Sequence, residues 1–206
     1  MLKSTLDRMR EAHAAELEGE EAAEAGFTLI ELMVVLLIIA ILLAIAIPTF
    51  LGVTNSANNR AAQSNLTNGL TEAASQYQNN NQAYGTSIGP ILSASAPEFT
   101  WGLSADCKLV SATPNCVSYF PVDVASSGDQ QGIILATWSK GTSTCWYAVE
   151  MAATPGSGGG SGFSAAGGAT VGGTWYRQDN TPTICSAAAS QTGKHWSTSY
   201  SSAPTN

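Results

Sequence analysis

The sequence predicts an α+β chain: a long N-terminal helical spine, one half apolar enough to cross a membrane and the other amphipathic, packed on a small antiparallel β-sheet head. Three observations predict it. Residues 27–47 form an apolar run interrupted only by Thr28 and Glu31. Past Pro48, apolar residues recur mostly every three or four positions to about Asn79, the period of a helix with one wet face. From Asn80 the period changes, and short β-rich runs alternate with Gly, Pro and Ser clusters, the pattern of strands and turns.

Residues 1–26 read as a polar leader. They hold three basic and seven acidic groups, so −4 of the formal net charge of −7 sits there and only −3 in the remaining 180 residues. The next segment, 27–47, has 21 residues, FTLIELMVVLLIIAILLAIAI, and at ~1.5 Å per residue it can span a bilayer core of ~30 Å. Fifteen of its residues are Leu, Ile, Val or Phe. Each favours insertion by about 0.3–0.6 kcal/mol, against about 3 kcal/mol for one acidic residue at mid-helix, so insertion wins even with Glu31 ionised. The run is longer than the ~7–15 apolar residues of a cleaved secretory signal. Lys3, Arg8 and Arg10 precede the span and only Arg60 follows it closely, which orients the N-terminus to the cytoplasm.

Residues 48–79 continue the spine. Pro48 is expected to kink the helix rather than stop it, because a stripe of Phe50, Val53, Ala57, Ala61, Leu70, Ala73 and Tyr77 follows, with Leu66 fitting loosely. Asn55, Asn59, Gln63 and Thr67 form the wet side. Gly52 and Gly69 each weaken the helix by about 1 kcal/mol, so this half relies on the head for stability. If continuous, residues 27–79 make a rod of about 80 Å.

Residues 80–206 form the head. Strands are expected at 117–124, 132–138, 145–151 and 174–178, with a hairpin at Ser139-Lys140-Gly141-Thr142 between the second and third. The glycine-rich segment 155–173 reads as a loop or linker. It lacks the Gly-Lys-Ser/Thr ending of a phosphate-cradling loop. The tail from Ser186 reads as loosely ordered. Cys107, Cys116, Cys145 and Cys185 all follow the membrane-crossing segment, and none sits in a Cys-x-x-Cys pair. Two disulfides formed outside the cytosol fit them better than a metal site. Of the three possible connectivities, proximity favours Cys107 with Cys116 and Cys145 with Cys185, without deciding it.

Charged residues make up only 11% of the chain, against ~25% in ordinary soluble domains, and no basic block marks a nucleic-acid footprint. His195 with Asp123 or Asp179 is a poor catalytic set, since no Gly-x-Ser-x-Gly elbow accompanies it, and His195 reads as a solvated residue. Asp123 and Asp129 read as turn residues, because the dense Asp/Asn spacing of a calcium loop is missing. Asn65-Leu66-Thr67 matches a glycosylation acceptor but lies on the expected helix. The five tryptophans read mainly as sheet core. No cofactor, metal or catalytic residue is assigned.

The junction Gly26-Phe27-Thr28-Leu29-Ile30-Glu31, leading straight into the apolar run and then Pro48, resembles type IV pilins and the related pseudopilins. The likeness is dense over about residues 26–60 and architectural beyond. It implies that a prepilin peptidase cuts after Gly26 and that Phe27, the new N-terminus, is N-methylated. Glu31 and Pro48 match the family's glutamate and helix-kinking proline. Glu31 is then the counter-charge for the Phe27 amine of a neighbouring subunit. Two features depart from the pattern: the leader is long and acidic, and Ala40 stands where many members have a helix-softening glycine.

The resemblance implies a structural subunit and not an enzyme, held in membrane lipid until assembly machinery extracts it into an extracellular helical filament of its own copies. A minor pilin, or a pseudopilin of a type II secretion or DNA-uptake system, belongs to the same class. A non-polymerising membrane-anchored adhesion protein is the alternative from a different class.

Overall fold

A computed structural model describes residues 26–85, 87–109, 115–125, 128–154, 171–190 and 195–203. The chain divides into two compact units, one ending at Phe50 and the other starting at Leu51. Most of the predicted leader and of the glycine-rich loop lies outside the described residues.

In the first unit, helix α1 (Leu29–Asn79) begins. The large apolar side chains from Phe27 to Phe50 are all exposed, from 45% at Ile39 to 85% at Phe27. A helix apolar on every side satisfies its backbone internally and needs an apolar solvent or partner for its side chains. Pro48 lies inside α1 and cannot donate to the carbonyl of Ala44. The next carbonyl, that of Ile45, accepts a bond from Thr49 Oγ1 at 3.0 Å.

In the second unit, α1 lays Ala62, Leu66, Gly69, Leu70, Ala73 and Tyr77 on the sheet. This corrects the expected stripe at its start: Phe50 and Val53 are 67% and 63% exposed, Ala57 and Ala61 are exposed, and Leu66 is wholly buried. Ala62 takes the place given to Ala61 because 62, 66, 69, 70, 73 and 77 keep one narrow helical face. Gly69 belongs to that face for a steric reason. A Cβ there would lie 3.1 Å from Leu135 Cδ1 and 3.3 Å from the Trp101 ring.

A second helix, α2 (Ile88–Ser95), falls where only loop was expected. Its Pro90 sits in the first turn, where no N–H is needed. Gly89 abuts the Tyr119 hydroxyl so closely that a Cβ would overlap it.

Five strands follow: β1 (Thr100–Leu103), β2 (Cys116–Val122), β3 (Gly132–Ser139), β4 (Thr144–Met151) and β5 (Gly173–Asp179). They lie side by side in that order. β2 to β5 match the four predicted runs within two residues at either end. β1 is only four residues long and holds Gly102, which weakens a strand, so the sequence hides it. It also breaks the all-antiparallel expectation, because β1 runs parallel to β2 with Thr100 opposite Cys116. The twelve residues 104–115 carry the chain back to start β2 beside the start of β1, about the length that a parallel crossover requires. The other three pairs are antiparallel, and β3 and β4 join through the expected hairpin.

Both faces of the sheet are covered. On one, Val117, Tyr119, Ile133, Leu135, Trp146 and Ala148 pack with the α1 and α2 residues. On the other, Val122, Ile134, Ala136, Tyr147, Val149 and Met151 pack with the four cysteines, Ala187 and Trp196. The tail is therefore not loose among its described residues. Trp196 is 6% exposed, and Ser197 exchanges two backbone bonds with Tyr176 of β5 at 2.7 and 2.9 Å. A strand buried on both faces exposes apolar area that something must cover, and this tail supplies part of the cover.

Candidate functional site

At the junction, Gly26 and Phe27 precede the helix in irregular backbone. Thr28 is the residue from which α1 starts, its carbonyl accepting the first helical bond from Leu32 N at 3.3 Å. Thr28 Oγ1 accepts the backbone N–H of Glu31 at 3.3 Å. In return Glu31 Oε2 accepts both the Thr28 N–H and the Thr28 hydroxyl, each at 2.8 Å. This reciprocal pair is a capping box, which satisfies helix-start donors that otherwise have no intrahelical partner. It fixes where the helix begins, and so leaves the bond between Gly26 and Phe27 outside it. An exposed, non-helical peptide bond is one that a peptidase can bind in extended form. Both cap bonds fall on one carboxylate oxygen, so Glu31 has a second oxygen with which to meet a cation.

Gly26, Phe27, Thr28 and Glu31 thus come together as one short site, and Pro48 lies several turns along the same helix. Sequence reading singled out Glu31 as a charge and missed its cap. The signal was available in the Thr-x-x-Glu spacing ahead of an apolar run.

The cysteines join as Cys107 with Cys116, Cα atoms 5.6 Å apart, and Cys145 with Cys185 at 5.5 Å. The first bridge ties the β1–β2 crossover to β2. The second ties the start of β4 to the chain after β5. Cys185 also holds Cys107 through a backbone bond from Cys107 N to Cys185 O at 2.9 Å.

The remaining polar candidates lie in structural roles. Asp129 accepts the backbone N–H groups of Val124, Ala125 and Gln131 at 2.8, 2.7 and 3.2 Å, and Asp123 accepts that of Gln130 at 3.1 Å, so the two carboxylates close a turn. Among the described residues no cluster suited to a metal ion is present. His195 is exposed. Asn65 donates to Asn115 Oδ1 at 3.3 Å, against the sheet side rather than on a free loop.

Two polar groups escaped the sequence reading. Asn59, placed on the wet side, accepts Thr142 Oγ1 at 2.6 Å and Trp146 Nε1 at 3.3 Å, fastening the β3–β4 turn to α1. Arg177 is 1% exposed in β5, with its guanidinium 4.5 Å from the centre of the Tyr147 ring and 3.4 Å from Asp179. Burial pulls the Arg177 pKa down, opposed by Tyr147 and Asp179.

Helix α1 is long and apolar enough to cross a membrane. No curated protein and no solved structure matches the chain significantly. The family model of the prokaryotic N-terminal methylation motif matches residues 22–47, a segment that holds the junction, Glu31 and the apolar part of α1, and this match supports the type IV pilin-like family for the chain.

Proposed function

We propose that this protein is a structural subunit of a type IV pilus or pilus-like filament, and that its work is polymerisation rather than catalysis. The observation that carries the reading is the junction itself: a matched methylation motif whose Gly26–Phe27 bond lies just before the capped, apolar half of α1. Before assembly, the apolar half of α1 sits in lipid with the N-terminus on the cytoplasmic side, and the disulfide-bearing head lies outside. A prepilin peptidase removes residues 1–26, and Phe27 is methylated. Assembly machinery then moves the helix from lipid into a bundle of identical helices, where lipid contacts are exchanged for helix contacts. The Phe27 amine still carries a positive charge in that apolar bundle. Glu31 of the neighbouring subunit neutralises it, and because an unpaired buried charge costs several kcal/mol, the pairing also sets the axial register.

Mass spectrometry of the N-terminus of surface-exposed protein tests the processing step. Methylated Phe27 as first residue is expected, and Gly26 replaced by a bulky residue should leave uncut precursor in the membrane. Surface protein that still carries residues 1–26 would exclude this function.

A further inference from the structure

The head offers opposite chemistry at its two ends. At the end of the sheet where β3 starts and β4 finishes, a groove of about 760 Å³ is lined by Tyr77, Gln78, Gln82, Tyr84 and Glu150, with backbone around Met151. Among the described residues Glu150 is the one acidic or basic side chain that lines it. Its carboxylate is held in place by the Thr174 hydroxyl, which donates to Oε2. Tyr77 and Tyr84 are buried behind the groove, their ring centres 4.8 Å apart, and Tyr84 is anchored through its backbone N–H to Gln130 O at 2.9 Å, so the floor of the groove is fixed. A fixed carboxylate in a groove suits an ammonium group, with which it makes a charge-assisted hydrogen bond.

The other end of the sheet carries such a group. Lys140 is exposed in the β3–β4 turn, and the Thr142 bond to Asn59 pins that turn to α1. Among the other described cations, Lys108 Nζ donates to Pro182 O at 2.8 Å and lies over the Trp138 ring, and Arg177 is buried. Arg60 is exposed on α1 beside Asn59 and not in the turn itself, and serves as the control below. Lys140 and Glu150 of one chain cannot meet, since the six residue steps from Thr144 to Glu150 along β4 separate the two ends by ~20 Å.

We propose that Lys140 of one copy docks in the Glu150 groove of the next, a head-to-tail contact between heads. Such a contact uses two different patches, so it propagates along a filament instead of closing a pair. It rests on the polymerisation reading and adds to it a named pair of surfaces outside the helical bundle.

Zero-length carbodiimide coupling of sheared surface material and of the membrane fraction, followed by peptide mapping, tests it directly. A Lys140–Glu150 isopeptide is expected, and the separation of the two residues makes it a bond between copies. In parallel, Lys140→Glu at the exposed turn and Glu150→Lys should each lower filament yield several-fold, and the double swap should restore it. Glu150→Gln, which keeps an acceptor for Thr174, should lower yield without disturbing the fold. Arg60→Glu should not rescue Glu150→Lys. Filaments without the isopeptide, or Lys140→Glu at wild-type yield, would overturn the docking while leaving the polymerisation reading intact. The isopeptide in membranes that yield no filaments would uphold the docking and sink that reading.

Discussion

At Glu31, one carboxylate has two separable tasks, and replacement distinguishes them. Its bonds to Thr28 complete the capping box that starts the helix, and its charge is the proposed partner of a neighbouring amine. Glu31→Gln keeps a capping acceptor and removes the charge, and Glu31→Ala removes both. Each should insert in the membrane at least as well as the natural chain, because an unfavourable charge is gone from an apolar helix. Each should nevertheless fail to build filaments. Expressed as the sole subunit, the variants should accumulate in cells with few sheared filaments by electron microscopy, and wild-type yield from Glu31→Gln would reduce Glu31 to a cap. Asn59 is a second single-residue hinge of the fold. Asn59→Ala strips Trp146 Nε1 of its acceptor in a side chain only 5% exposed, and an unsatisfied buried donor costs about 1–3 kcal/mol. Urea unfolding should show that loss as a lower midpoint with unchanged slope.

Among the elements, the strands were the most legible because β-branched and aromatic runs bounded by Gly and Ser leave few other options. The helix face was legible in its period but not in its phase near residues 57–62. There Ala is the commonest residue and both sides look alike, so only the position of the sheet picks Ala62 over Ala61. β1 and α2 were invisible because each is short and takes its stability from neighbours. The disulfides act at this same scale. Their chain separations are 9 and 40 residues, which by loop-closure entropy correspond to roughly 2.5 and 4 kcal/mol. Replacing Cys145 and Cys185 together by Ser should therefore lower stability more than replacing Cys107 and Cys116, by about 1 kcal/mol. Denaturant titration of the two double variants measures it, and the opposite order would show that native packing around the bridges outweighs chain entropy.

For the whole molecule, the two-faced burial of the sheet has a consequence at high pH. Burial pushes Tyr147 up to about 12, with Arg177 pulling it down and Asp179 and Asp106 pushing it up. Burial first, and then Glu150, also raises Tyr84. In the unfolded chain these tyrosines lose their protons near pH 10, and in the folded chain they keep them to higher pH. The unfolded state then binds fewer protons, so stability is intact below about pH 10 and falls between about 10 and 12, by up to about 1.4 kcal/mol per pH unit for each shielded tyrosine. The melting temperature should drop from pH 9 to pH 11, and the tyrosinate absorbance of these residues should appear with unfolding rather than before it. Ionisation of Tyr147 near pH 10 in the still-folded protein would contradict its burial.

The sequence by itself determined the apolar half of α1 and the junction, because both are local. An apolar run of 21 residues has only a membrane or a helix bundle as solvent, and Gly26, Phe27, Thr28 and Glu31 lie within reach of one another along the chain. It also marked four of the five strands. Tertiary structure alone decided the parallel pairing of β1, the covering of the second sheet face by the tail, and the recruitment of Asn59 from the wet side. Each of these depends on residues far apart in sequence, brought together by burial of a sheet that has no solvent-facing side, and no local pattern records which distant segment will supply the cover.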